Sequence, residues 1–202
     1  GLDWAGVRLD VTDPAQCDWT GQKSAPTVMY GTENPRSGWA EILLLLERLA
    51  PIPGLLPVDP ADRALAMGLA HEIFGEDGLA WARRVQLVHA GKLGVGGFKE
   101  PVATYLADKY GYSSDMGAAA GRRVTDLLGM LAARLIAQRE AGSGFFIGDA
   151  LTAVDVYSAA VMALFHPLPD SRCAMHKRSR DAFETLDKET EAALHPILVE
   201  HR

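Results

Sequence analysis

Two short stretches near the start of the chain alternate apolar and polar side chains. In residues 4–11, every second position from Val7 to Val11 is apolar, a period of two that is typical of a half-buried β-strand. A second strand is predicted for residues 27–30, where turn residues follow directly. Because Pro35 in that turn cannot donate to a β-ladder, we expect any strand there to lie at a sheet edge.

The first helix is predicted for residues 38–50. Its apolar residues fall at spacings of three and four, which places them on one stripe of the helix surface. They are Ile42, Leu45, Leu46 and Leu49. Ser37 is the expected N-cap, because its hydroxyl can accept a hydrogen bond from an otherwise unpaired backbone N–H. Pro51 and Pro53 end the helix.

A proline-rich segment separates this helix from the rest of the chain. We interpret residues 51–59 as a linker between a first domain, residues 1–50, and an all-helical domain, residues 60–202. Seven helices are predicted for the second domain. The first begins at residue 60, the second and third cover 79–90 and 101–110, and the fourth is a long helix that ends near residue 142. The last three cover 153–165, 179–186 and 189–200, and Pro196 interrupts the last one.

The most informative local pattern lies in residues 145–156. Thr152 and Asp155 have the spacing of a capping box, in which each side chain satisfies a backbone N–H at the helix start. Two flanking pairs complete the pattern, a hydrophobic staple and a preceding turn. They are Leu151 with Val156, and Gly148 with Asp149. Because residues 153–165 are almost uncharged, we expect a central, fully buried helix.

The charge balance narrows the choice of partners. The 202 residues carry a formal net charge of −6, with a sequence pI of about 5.5. A nucleic-acid-binding protein usually has a basic stripe instead. Cys17 and Cys173, the only cysteines, are interpreted as reduced and inert, which fits a reducing compartment. No apolar run has the length of a membrane span, so we expect a cytoplasmic protein with neither a nucleic-acid nor a membrane partner.

Two further patterns are assigned to structure rather than to chemistry. His71 and Glu72 with Glu76 lack the second histidine of a zinc-binding helix, so we expect no metal. The glycines in residues 91–97 do not form a dinucleotide-binding fingerprint and do not follow a strand. We interpret them as a flexible loop.

The pattern around Thr152 resembles the buried-helix motif of the soluble (cytosolic-type) glutathione transferase family. That motif runs aromatic or aliphatic residue, Gly-Asp, two residues, Thr, two residues, Asp. The resemblance implies an α+β thioredoxin-like N-terminal domain followed by an all-α C-terminal bundle. It covers essentially all of residues 60–202 and about half of the first domain, which lacks the first strand and most of the first helix. The Tyr, Ser or Cys that activates the glutathione thiol is expected upstream of Gly1, so the catalytic residue is unknown.

The same resemblance implies a glutathione site within residues 23–37. The residues implied there are Lys23, Ala25, Pro26, Arg36 and Ser37. Ala25-Pro26 matches a cis-proline turn whose first residue pairs with the cysteinyl part of glutathione; a trans proline at a strand entrance is the alternative. Ser37 at the helix start would hold the γ-glutamyl carboxylate. In a second register Glu41 takes that place, and in a third interpretation Ser37 only caps the helix.

By resemblance, the helical domain borders a pocket for a second, apolar substrate. Trp81, Arg84 and Tyr110 are implied to line it, and packing with solvated charge is the alternative. The implied function is conjugation, or another use of the glutathione thiolate, on an apolar electrophile, with glutathione as co-substrate and a homodimer as the assembly. The rival hypothesis is a non-catalytic glutathione-transferase-like binding or scaffold protein. A reductive dehalogenase or isomerase on the same fold is a third.

Overall fold

The computed structural model describes residues 13–202, and most of them are helical. The chain divides into two compact units, residues 1–57 and residues 58–202. The division falls inside the proline-rich segment 51–59.

The part of the first unit that the structure describes, residues 13–57, contains two helices, α1 (Pro14–Thr20) and α2 (Trp39–Leu49). Asp13 caps α1: one of its carboxylate oxygens accepts the backbone N–H groups of Ala15 and Gln16, at 2.8 and 3.2 Å. Helix α2 ends where the prolines predict.

The predicted thioredoxin-like domain is not present in the described part of this unit. Residues 13–57 contain no sheet, and the only strand-like pairing among them is an isolated antiparallel bridge between Val28 and Arg36. The strand predicted for residues 27–30 is therefore wrong, because one bridge offers too few hydrogen bonds to order a strand. The strand predicted for residues 4–11 lies outside the described residues. The α+β fold class is thus corrected to a mainly helical one for residues 13–202.

Helix α2 buries a face that matches the predicted stripe only in part: Leu45 belongs to that stripe, and Leu43 does not. Leu43 and Leu45 are each 2% exposed, whereas Leu46 is 39% exposed. Four consecutive leucines offer two overlapping stripes, and spacing alone does not choose between them. The tertiary environment decides which leucines leave water.

The second unit is built from eight α-helices and one short 3₁₀ turn in the described chain. They are α3 (Pro60–Phe74), α4 (Leu79–Leu93), α5 (Val102–Tyr110), α6 (Ser114–Glu140), α7 (Ala153–Val161) with the 3₁₀ turn Met162–Leu164, α8 (Lys177–Glu184), α9 (Lys188–Ala193) and α10 (Pro196–Glu200). The predicted interruption at Pro196 is confirmed. None of the described helices combines the length and the apolar character that crossing a membrane requires.

Helix α4 lies at the centre of the second unit. It packs against α3, α5 and α6, while α7 packs against α3 and α10. Eight of its residues are buried, on all sides of the helix. They are Leu79, Ala80, Ala82, Arg83, Val85, Gln86, Leu87 and Val88. The predicted full burial of residues 153–165 is wrong on one face, because Val156 is 42% exposed and Ala160 is also exposed.

The start of α7 is held by the buried carboxylate of Asp155, which is 3% exposed. Thr152 and Asp155 form the predicted capping box: Oδ2 of Asp155 accepts both the backbone N–H and the hydroxyl of Thr152, each at 2.7 Å. Oδ1 accepts the backbone N–H of Phe146 at 2.9 Å and is hydrogen-bonded to Nε2 of His201 at 3.0 Å. One carboxylate therefore joins the loop before α7, the helix start and the segment after α10.

The turn predicted before the capping box is confirmed. Gly148 has φ +59, a conformation that a side chain disfavours, and its carbonyl accepts the Ser143 hydroxyl at 2.5 Å. Asp149 beside it is exposed. The staple residues do not leave water, since Leu151 is 51% and Val156 42% exposed.

Replacing Asp155 with alanine should lower the free energy of unfolding by about 3 kcal/mol, because the buried N–H groups of Phe146 and Thr152 lose their acceptor. Urea denaturation followed by circular dichroism measures the change. Asp149→Ala is the matched control in the same motif and should cost less than about 0.5 kcal/mol. Equal losses in the two variants would contradict the assignment.

Asp155 also makes the fold sensitive to acid. Burial raises the pKa of its carboxyl group, but hydrogen bonds from His201, the Phe146 backbone and Thr152 outweigh burial and hold the pKa below the ordinary value of 3.8. Such a group stabilises the fold fully above its unfolded-state pKa, and this contribution is lost as the pH falls through the folded-state pKa. Below about pH 4, wild type should lose more stability than Asp155→Asn. Urea titrations across this range test it; parallel profiles for the two proteins would contradict it.

Candidate functional site

The residues implied for glutathione binding lie on two segments that meet in the first unit. The backbone N–H of Val28 donates to the carbonyl of Arg36 at 2.8 Å, and the reverse bond is 2.9 Å long. The hydroxyl of Ser37 donates to Oε1 of Gln22 at 3.2 Å. Because these contacts join both ends of the two segments, residues 22–28 run beside residues 36–37. We call this pair of segments the paired loop.

The paired loop contains the predicted cis peptide bond between Ala25 and Pro26. Both residues are exposed, and the hydroxyl of Thr27 donates to the carbonyl of Ser24 at 2.7 Å across the turn. The cis peptide bond therefore lies within a hydrogen-bonded turn whose two central residues are exposed. Lys23 is exposed nearby, and its ammonium group makes no ion pair with any residue in 13–202.

Ser37 is not the N-cap of α2. The structure places Gly38 at that position, one residue later than predicted, and the Ser37 hydroxyl turns to Gln22 instead. The Glu41 carboxylate reaches back to the backbone N–H of Gly38 at 3.4 Å. The helix start therefore already carries one carboxylate, with which an anionic ligand would compete.

Arg36 is held by an acidic neighbour. Its guanidinium contacts Glu33 at 2.6 Å, and Arg48 contacts the same carboxylate. The hydrogen bond from Arg48, and then that from Arg36, hold the pKa of Glu33 below its usual range. Arg48 also lies 5.9 Å from the centre of the Tyr30 ring. The charge of Arg36 is thus partly compensated within the protein.

In the second unit, Trp81 and Tyr110 are brought together but Arg84 is not shown to join them. The Trp81 and Tyr110 rings lie 5.9 Å apart in an edge-to-face arrangement at 61°, and both are partly exposed. Arg84 is exposed and makes no ion pair within residues 13–202. The contact between Trp81 and Tyr110 fits both the pocket wall and the packing alternative, and Arg84 is a solvated charge.

The resemblance places Arg83, next to Arg84, at the border of the same second-substrate pocket, but the structure buries it. It is 2% exposed, and its guanidinium lies 5.1 Å from the centre of the Phe165 ring. Burial lowers the pKa of Arg83 to about 10, against the attraction of Asp187. The sequence contains one indication of this burial: Leu79 lies four residues before Arg83, on the same face of the helix.

The Arg83 guanidinium is satisfied by neutral oxygens. It donates to three backbone carbonyls and one side-chain amide, at 2.7 to 3.2 Å. The acceptors are Leu164, Phe183, Thr185 and the side chain of Gln86. The side-chain amide of Gln86 extends this network, because it donates to Asp187 at 2.8 Å and to Thr190 at 2.9 Å. The network joins α4 to the chain around α8 and α9.

Comparisons with known proteins give no family for this chain. No protein-family model matches it, and no curated protein matches it. Within residues 13–202, no group of three or more His, Cys, Asp or Glu side chains is arranged to hold a metal ion.

Replacing Arg83 with methionine should lower the free energy of unfolding by about 3 kcal/mol, because buried carbonyls lose their donor. Arg84→Met makes the same chemical change one residue away on an exposed side chain and should alter stability by less than about 0.5 kcal/mol. Thermal and urea unfolding of the two variants measure the difference. If Arg84→Met proves as destabilising as Arg83→Met, the network does not hold α8 and α9.

Proposed function

We propose that this chain is a glutathione-transferase-like protein that binds glutathione at the paired loop and uses its thiol on an apolar electrophile. The observation that carries the proposal is the contact between Gln22 and Ser37, which sets the cis Ala25–Pro26 turn beside the approach to α2. The proposal rests on this juxtaposition and not on a sheet, since residues 13–57 contain none.

The paired loop offers groups that suit the chemistry of glutathione. Glutathione carries two carboxylates and a central cysteinyl amide. Lys23 supplies a cation that makes no ion pair within residues 13–202, the Ser37 hydroxyl supplies a donor, and the backbone of the exposed residue Ala25 would supply amide hydrogen bonds. The resemblance assigns the cysteinyl part to Ala25 and the γ-glutamyl carboxylate to Ser37.

The reaction proposed is attack by the glutathione sulfur on an electrophilic carbon. A thiolate is the nucleophile, so the thiol must first lose its proton. A C–S bond then forms as a leaving group departs with the bonding electron pair, or as the electrons move onto an activated double bond. The residue that accepts the thiol proton is not assigned. A cytoplasmic homodimer is part of the same proposal.

A non-catalytic binding or scaffold protein is the second candidate function. Two contacts favour it: the Ser37 hydroxyl already donates to Gln22, and Arg36, which stands where the family has Gln or Glu, is already paired with Glu33. Glutathione would have to displace or share both contacts. Such a competition lowers affinity and leaves a protein that keeps the fold without turnover.

Glutathione binding is tested by isothermal titration calorimetry on the full chain. We expect saturable binding, and Ser37→Ala should raise the Kd by about tenfold through loss of a hydrogen bond to a charged group. Ser171→Ala is the control, since Ser171 is exposed in the second unit; it should leave the Kd unchanged. Loss of stability in Ser37→Ala with an unchanged Kd would contradict a binding role for Ser37.

Turnover separates the two candidate functions. A chlorodinitrobenzene assay with saturating glutathione should give conjugate at a rate above the uncatalysed reaction if the chain is a transferase. Binding of glutathione without turnover would favour the binding or scaffold protein, and absence of binding would contradict the glutathione site itself.

A further inference from the structure

A cavity of about 340 Å³ lies in the second unit between the loop after α4 and one face of α8. Most of its wall is apolar and comes from two short segments of chain. The lining residues used below are Gly97, Lys99, Glu100, Val102, Arg178 and Asp181. The volume falls in the range of small-molecule sites. None of the residues proposed for glutathione or for the second substrate lines it.

The loop wall of this cavity is held closely against α4. Gly97 has φ +68, and a Cβ added there would overlap the backbone carbonyl of Leu87, so no other residue fits without a shift. The neighbouring Phe98 donates its backbone N–H to the same Leu87 carbonyl at 3.0 Å. Its ring meets that of Phe183 edge to face, with centroids 6.0 Å apart. These contacts give the cavity a fixed apolar wall.

The charges around the cavity are unevenly compensated. Glu100 accepts the Thr104 hydroxyl at 2.8 Å and pairs with Lys92 at 3.4 Å. Asp181 is bound by both oxygens to Lys177, at 2.8 and 2.9 Å. Both acidic residues therefore have a cation of their own.

The two basic residues of the lining have no such partner. The side chains of Lys99 and Arg178 make no hydrogen bond or ion pair with any other residue between 13 and 202. Two uncompensated cations thus lie at an apolar cavity in a chain of net charge −6. The two cations favour a ligand with an anionic group, and the apolar cavity wall favours a ligand that also has an apolar part.

We propose that this cavity binds an amphipathic monoanion, a medium-length alkyl or aryl carboxylate, sulfate or sulfonate. The apolar body would lie against the Phe98 and Val102 side of the cavity, and the anionic group between Lys99 and Arg178. A neutral apolar molecule would leave both cations unused. A polyanion would meet the carboxylates of Glu100 and Asp181 at the same rim. The site is independent of the glutathione proposal.

Decanoate and its neutral isostere decanamide test the charge requirement by calorimetry on the full chain at low salt. Decanoate should bind at least about tenfold more tightly than decanamide, and added salt should narrow the gap, since exposed ion pairs are screened. Lys99→Gln and Arg178→Gln should each weaken decanoate binding about threefold to fivefold, and together about tenfold or more. Decanamide binding should not change.

Lys109→Gln and Arg172→Gln remove exposed cations outside the cavity and are the matched controls. Equal affinities for decanoate and decanamide, no decanoate binding, or equal effects of the control and cavity variants would each overturn the proposal.

Val102→Asp tests the position of the ligand. Val102 is 46% exposed at the first residue of α5, where an aspartate suits the helix dipole, so the fold is retained. The new carboxylate should abolish measurable decanoate binding. Val58→Asp places the same charge on a residue that is 99% exposed and outside the cavity, and should leave binding intact. Undiminished binding to Val102→Asp, with an unchanged melting temperature, would overturn the site.

Discussion

The helical unit depends on a buried carboxylate whose full set of hydrogen bonds makes its burial tolerable. Asp155 sits where water is almost absent, and a charge there is costly unless every lone pair is occupied. Its partners are Phe146 in the loop before α7, Thr152 at the start of α7 and His201 after α10. The same group that starts α7 therefore also positions the segment after α10, so helix capping and tertiary closure are one interaction here.

Arg83 is a buried cation, and its hydrogen bonds offset the cost of its burial. It lies inside α4, the most enclosed helix, and reaches carbonyls on segments that the local chain does not contain. Carbonyl oxygens satisfy the guanidinium without a directly paired carboxylate, and Asp187, which accepts a hydrogen bond from Gln86, adds a Coulombic attraction. The short helices α8 and α9 bury little apolar surface of their own. Hydrogen bonding to Arg83 is thus a principal tie between them and the core.

The two proposed ligand sites differ in how they are built. The paired loop rests on exposed turns and polar contacts within the first unit, and its Arg36 and Ser37 side chains already have partners inside the protein, so a ligand must replace those bonds. The cavity beside α8 rests on a wall fixed by Gly97 and Phe98, and its cations have no partner in residues 13–202 to replace. A ligand at the cavity would therefore have to order two exposed side chains, whereas a ligand at the paired loop would also have to displace existing hydrogen bonds.

Local features of this protein were determined by the sequence itself. The capping box at Thr152, the turn at Gly148 and the helix stops at Pro51 and Pro196 depend on neighbours a few residues away, so spacing alone predicts them. The cis bond before Pro26 is implied by the family resemblance, since spacing alone leaves cis and trans open. Tertiary structure decided everything that requires a distant partner. Residues 27–30 form no strand because only one bridge is available to them, and of two adjacent arginines one is buried because carbonyls about 80 to 100 residues later in the chain reach it. A sequence pattern indicates which side chains avoid water. It does not show which distant residue will complete a sheet or satisfy a buried polar or charged group.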